Sequence, residues 1–255
     1  MTDDAPPPVW GIPAEAQGPL LLDAARRLML ERAYDAAVGL AEELLDVDPT
    51  DTAALLIVAD AAARYGHGEV ALLAVRQARA LGARDDVLEA AALLASCQPE
   101  AALAATDSHL ASGTDDARAH AIRGQALEIL GRTLEADEAL ARAHALRPAA
   151  YPLPLHVDDA DWEGLLIQAI SRMDDAARTE TRTWGVSFRP APTAERLRSS
   201  DPPVPPSVHA LALPGDDGIA CELYTRALTR GCADEEELIE RLTVAMADEV
   251  ENVRE

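Results

Sequence analysis

Small apolar residues recur at near-constant intervals along the first 150 positions, between runs of polar residues. Ala37, Ala71, Ala102 and Ala136 are spaced 34, 31 and 34 residues apart. Three of them share a local frame, in which a polar turn is followed by an acidic or small residue, the Ala and an apolar run. The frames are Arg32-Ala33-Tyr34-Asp35-Ala36-Ala37, Gly66-His67-Gly68-Glu69-Val70-Ala71 and Gly131-Arg132-Thr133-Leu134-Glu135-Ala136. Ala25, Ala59 and Gly124 each stand twelve residues before their Ala, where paired helices approach closely. Pro49 and Pro148 close the first and last units, because proline cannot continue a helix. A repeat period in this range predicts a stack of helical hairpins, with units at 18–51, 52–85, 86–116 and 117–148.

The pattern changes after Arg147. Three prolines within Pro148–Pro154 forbid a continuous helix. Asp161 to Ala177 reads as an amphipathic helix with Trp162, Leu165, Leu166, Ala169, Ile170 and Met173 on one face. Trp184 to Phe188 alternates like a strand, and Ala191 to Ser207 reads as a proline-rich loop containing Pro202 and Pro203. Val208–Leu213 and Ile219–Tyr224 read as strands around the turn Pro214-Gly215-Asp216-Asp217-Gly218. A long helix over Asp234–Val253 ends the chain, its acidic first turn suiting the helix dipole. The expected organisation is a flexible segment over 1–17, helical repeats over 18–150, a proline-rich linker over 151–160 and an α+β domain over 161–255.

Composition narrows the partners. Aromatic residues make up only 3% of the chain against 49% hydrophobic, so the core is built from Ala, Leu, Val and Ile, as closely packed helices require. The 45 acidic residues outnumber the 22 basic ones, for a formal charge of −23, and such a surface repels nucleic acid and anionic lipid. Every basic residue is Arg, which reads as the coding bias of a high-GC genome. Neither a secretory signal nor a membrane span is visible, and Cys97, Cys221 and Cys232 sit at unrelated spacings. A cytoplasmic protein with free, buried thiols is therefore expected.

The unit 117–148 carries Gly124, Leu127, Gly131, Ala136, Leu140, Ala143 and Pro148, and on these residues it resembles the tetratricopeptide repeat family. A generic array of α-hairpins is the alternative. The resemblance implies a groove lined by the first helix of each pair. By helical spacing Leu22, Arg26, Leu56, Asp60, Arg64, Arg118, Ala121 and Gln125 are the candidate lining residues. A carboxylate clamp of Lys and Asn is absent, so the expected occupant is an apolar or amphipathic segment, either of another protein or of this chain's own C-terminal domain. Each Arg among them is more often a solvated surface charge than a ligand anchor.

The C-terminal domain resembles the minimal zincin-like metallopeptidases. The resemblance rests on Ile219-Ala220-Cys221-Glu222-Leu223-Tyr224-Thr225-Arg226-Ala227-Leu228-Thr229-Arg230 and on the helix from Glu236 to Asn252. In that family a strand with a Leu-Tyr pair leads into a short helix, and the last helix carries HExxH. Two His four residues apart share a helix face and hold Zn²⁺, while the Glu activates the bound water. Here the motif is Asp248-Glu249-Val250-Glu251-Asn252, so the Glu is kept as Glu249 and both His are replaced. The resemblance then implies a pseudo-enzyme without a cofactor, in which binding is the main activity left. The alternatives are a zinc peptidase with unusual ligands and Glu249 as general base, or an unrelated helper domain whose last helix simply ends in hydrated carboxylates.

Overall fold

The computed structural model describes residues 14–199, 204–215 and 218–254. Most of the expected N-terminal segment, Pro202 and Pro203 of the proline-rich loop, and Asp216 and Asp217 of the turn lie outside the described residues. The chain divides between Ser96 and Cys97 into two compact units.

The first unit holds α1 (Ala14–Leu30), α2 (Tyr34–Val47), α3 (Thr52–Tyr65), α4 (Gly68–Ala80) and α5 (Asp86–Ala95). Successive helices pack on one another, and α3 also packs on α5. The contact positions are the small residues of the repeat: Ala25, Ala37, Ala41, Ala54, Ala59 and Ala71 are fully buried. Asp51 starts α3 by accepting the Ala53 and Ala54 amides, and Asp85 starts α5 by accepting that of Leu88. Gly68 is required by packing, since a Cβ there would lie 2.2 Å from Ser96 N and 2.4 Å from Ala95 C.

The second unit begins with α6 (Pro99–Ala111), α7 (Ala117–Ile129) and α8 (Thr133–Leu146), with α7 packed on both neighbours. Gly124 of α7 lets Leu140 of α8 approach, because a Cβ at Gly124 would lie 2.7 Å from Leu140 Cγ. A second periodicity underlies the first. Arg32, Gly66, Cys97 and Gly131, in the turns that end α1, α3, α5 and α7, all have positive φ (63°, 81°, 55° and 72°). Each stands five residues before Ala37, Ala71, Ala102 or Ala136. At three of these turns the next amide reaches back five residues to close the helix, from Ala33 to Leu28, His67 to Ala62 and Arg132 to Leu127.

The rest of the second unit contains α9 (Trp162–Arg172), α10 (Asp175–Thr181), β1 (Gly185–Arg189), α11 (Ala194–Arg198), β2 (Ala210–Gly215), β3 (Gly218–Tyr224), α12 (Thr225–Thr229) and α13 (Glu235–Arg254). The strands form one sheet in the order β1-β3-β2, β1 parallel and β2 antiparallel to β3. Its core gathers Trp162, Leu165, Met173, Cys221, Leu223, Leu242 and Met246 beneath α9 and α13. The single helix expected over 161–177 is two helices. Met173 is extended, and Asp174 caps a new helix by accepting the Ala176 and Ala177 amides. The loop expected over 191–207 contains the short helix α11, capped by Thr193 Oγ1. All three cysteines are free and buried.

Candidate functional site

The HExxH-like position lies on α13, where that helix passes the outer edge of β2. The ladder fixes which amides face outward. Tyr224 donates to His209 O at 2.9 Å, so alternation turns His209, Leu211 and Leu213 towards β3 and leaves Ala210, Ala212 and Pro214 facing away. The outward amide of Ala212 donates to Glu249 Oε2 at 2.6 Å. Asn252 Nδ2 donates to Glu249 Oε1 at 3.2 Å. Glu249 is buried, whereas Asp248 and Asn252 are exposed. Burial raises the Glu249 pKa above the ordinary glutamate value, although the Ala212 and Asn252 hydrogen bonds oppose the shift.

These residues do not fit a zinc centre. Asn252 offers a neutral amide whose N–H is directed at the carboxylate, and Glu249 is engaged by a backbone N–H on its other oxygen. Among the described residues no three His, Cys, Asp or Glu side chains are grouped to hold a metal ion. His209 is half-buried, and burial lowers its pKa, followed by the nearby Arg241 and Arg230 charges, while Asp248 opposes them. Burial pushes the Cys221 thiol up to about 12, assisted by the Glu249 and Glu222 carboxylates. It is no nucleophile at neutral pH.

The candidate groove residues fall in both units. Leu22 on α1 and Leu56 on α3 are half-buried against the hydrophobic clusters of the first unit. Arg26 is exposed, 3.7 Å from Asp23. Asp60 and Arg64 pair with each other at 3.2 Å, and Arg64 lies 5.6 Å from the centre of the Tyr34 ring. On α7, Arg118 and Gln125 are half-buried and Ala121 is buried.

The same stripe of α7 continues to Glu128, three residues beyond Gln125, and this residue was not among the candidates. Its side chain is 5% exposed. Arg226 of α12 donates Nε–H to Glu128 Oε1 at 2.6 Å, and Arg230 donates to Oε2. Arg226 also pairs with Asp137 of α8. Burial works against the Arg226 charge, but the bonds to Asp137 and Glu128 outweigh it and raise its pKa. On the other side of the segment, Arg241 of α13 donates to the carbonyls of Leu228 and Arg230 at 3.0 and 2.7 Å. The chain from Thr225 to Arg230 is thus held by α7 and α8 through its side chains and by α13 through its backbone. Beside it a cleft of about 490 Å³ is lined by Leu140, Leu155, Val157, Trp162, Thr225 and Arg226, among others.

No family model matches the chain, and no curated protein matches it. Among solved structures it is similar to TTC0263, a thermophilic TPR protein of Thermus thermophilus. Identity is 24% over 51% of this chain and 75% of the other, with a TM-score of 0.46. A MamA fragment from Desulfovibrio magneticus RS-1 is 22% identical over 51% of this chain and 76% of the other, with a TM-score of 0.41. YrrB, described as a TPR protein with an unusual peptide-binding site, is 17% identical over 53% of this chain and 71% of the other, also at 0.41. Scores this low do not fix the fold. The helical hairpins are established by this chain's own helix pairing and by the recurring turn.

Proposed function

We propose that this chain is a non-catalytic interaction protein, with tetratricopeptide-type hairpins followed by a module related to the minimal zincin-like metallopeptidases that has lost its chemistry. The observation that carries this reading is the 2.6 Å hydrogen bond from the Ala212 amide to Glu249. The one catalytic-type residue kept from HExxH is spent on holding a helix to a strand edge. The element order supports the relationship, since β3 carries Leu223-Tyr224 directly before the short helix α12, and α13 carries the motif. The partner class is another protein or a peptide segment bound by the hairpins. On α7 part of that surface is already taken by the chain's own Arg226 and Arg230. No helix among the described residues is long and apolar enough to cross a membrane, and a cytoplasmic setting agrees with three unpaired cysteines.

The test is metal content and hydrolysis on the full chain. After zinc loading and gel filtration, zinc is expected far below one per chain, with no chelator-sensitive cleavage of unstructured peptides. One tightly held zinc per chain, or a chelator-sensitive hydrolysis abolished by Glu249→Gln, would overturn the proposal in favour of a peptidase.

A further inference from the structure

The two edges of the sheet are treated differently. At β2, Glu249 takes the outward amide of Ala212 and Pro214 has no N–H to offer, both of which blunt an edge against further pairing. At β1 nothing comparable is present among the described residues. With the even positions of β3 turned to β2, Ile219, Cys221 and Leu223 face β1, and the register sets Val186 opposite Cys221 and Phe188 opposite Leu223. Gly185, Ser187 and Arg189 therefore bond β3, while Val186 and Phe188 turn their N–H and C=O outward. Among the described residues neither outward pair has a hydrogen-bond partner. Val186, Ser187 and Phe188 are half-buried. The side chains of Val186 and Phe188 pack inward, Phe188 with its ring 5.4 Å from that of Trp162.

The segment that carries this edge is basic where the chain as a whole is acidic. From Arg182 to Ser199 there are four arginines and one glutamate, in a protein of net charge −23. At the end of β1 a cavity of about 450 Å³ is lined by Arg189, Thr193, Glu195, Arg196, Ser199 and Glu222. Arg196 and Glu222 neutralise each other at 3.1 Å, with Tyr224 also donating to Glu222 at 2.9 Å. Arg189, exposed beside them, makes no direct ion pair among the described residues, and its charge adds to that of Arg196 in holding the Glu222 pKa down. We propose that the outer edge of β1 accepts an extended acidic peptide as a fourth strand, paired to Val186 and Phe188, with a carboxylate in the cavity against Arg189. Strand addition of this kind takes its affinity from main-chain bonds and its selectivity from flanking pockets. A second copy of this chain is a poor occupant, since symmetric pairing would set the arginines against one another. The site is on the opposite edge from Glu249 and holds whether or not that residue is catalytic.

The probe is acetyl-Glu-Val-Glu-Val-Glu-amide, with its Lys-for-Glu counterpart as control, titrated into ¹⁵N-labelled full-length protein. The acidic peptide is expected to shift the Val186 and Phe188 amides and slow their exchange. Arg189→Glu, an exposed position, should weaken binding about tenfold, and Val186→Pro should abolish it by removing an outward N–H. The amide spectrum of each variant reports whether it is folded. No shift at Val186 and Phe188 at millimolar peptide, or equal binding of the Lys peptide, would overturn the proposal. So would protection of both amides without peptide in a concentration-dependent dimer.

Discussion

The backbone amide of Ala212 and the carboxylate of Glu249 are 2.6 Å apart, joining the outward edge of β2 to α13. Removing the carboxylate leaves a strand amide and the Asn252 side chain without their acceptor. Glu249→Ala is expected to cost about 2 kcal/mol in chemical denaturation, and Glu249→Gln, which keeps one acceptor oxygen, about 1 kcal/mol. The pH dependence has a definite sign. Because the folded pKa is raised, Glu249 favours the folded state most when protonated, and that contribution is lost as pH rises from the ordinary value of 4.5 through the raised one. Wild type minus Glu249→Gln stability should therefore be flat below that window and fall across it. A difference that grows with rising pH would mean that the two hydrogen bonds outweigh burial.

Glu128 answers two arginines from a nearly dry position. Truncating it strands the Arg230 charge, about three-quarters buried, and leaves Arg226, about four-fifths buried, with Asp137 alone, so Glu128→Ala should cost about 3 kcal/mol. Glu128→Ala combined with Arg230→Met should cost less than the sum of the single changes, with a coupling of about 2 kcal/mol. Proteolysis within residues 147–160 should accelerate in Glu128→Ala, because Thr225–Arg230 also anchors the linker through the Leu155 amide and the Pro154 bridge. A loss below about 0.5 kcal/mol would mark the cluster as a solvated surface pair.

The hairpins were legible in the sequence because one physical need, close helix approach at a fixed period, leaves a small residue at each contact. The strands were legible from alternation. Asp174 was not, since an acidic residue on the polar side of an amphipathic run looks the same whether it is solvated or capping a new helix. Glu128 was harder still. A carboxylate on a groove stripe reads as exposed until its partner is known, and Arg226 lies 98 residues away. At the HExxH-like position the motif itself was readable, but the engagement of Glu249 was not, because it depends on which β2 amides face outward.

Two glycines separate close packing from backbone collision. Gly124→Ala places a Cβ 2.7 Å from Leu140 Cγ, a side chain able to shift, and should cost about 1–2 kcal/mol. Leu140→Ala in the same chain should recover part of that loss. Gly68→Ala meets the backbone of Ala95 and Ser96, which has no comparable freedom, and should cost about 3 kcal/mol or more with no single-residue rescue. Equal losses at the two positions would mean that α5 can move away from α4.

The left-handed turns provide the last test, because their residues differ while their geometry does not. Gly66 and Gly131 adopt positive φ without a Cβ penalty, whereas Arg32 holds φ 63° with a full side chain. Arg32 is exposed and its side chain makes no ion pair among the described residues, so little is lost on its removal. Glycine gains chain entropy when unfolded, which offsets part of the relief. Arg32→Gly should still stabilise the chain by about 1 kcal/mol in denaturant titration, and Arg32→Asn by less. An Arg32→Gly variant less stable than wild type would show that the repeating turn is not left-handed at its first occurrence, and the register linking Arg32 to Ala37 would fall with it.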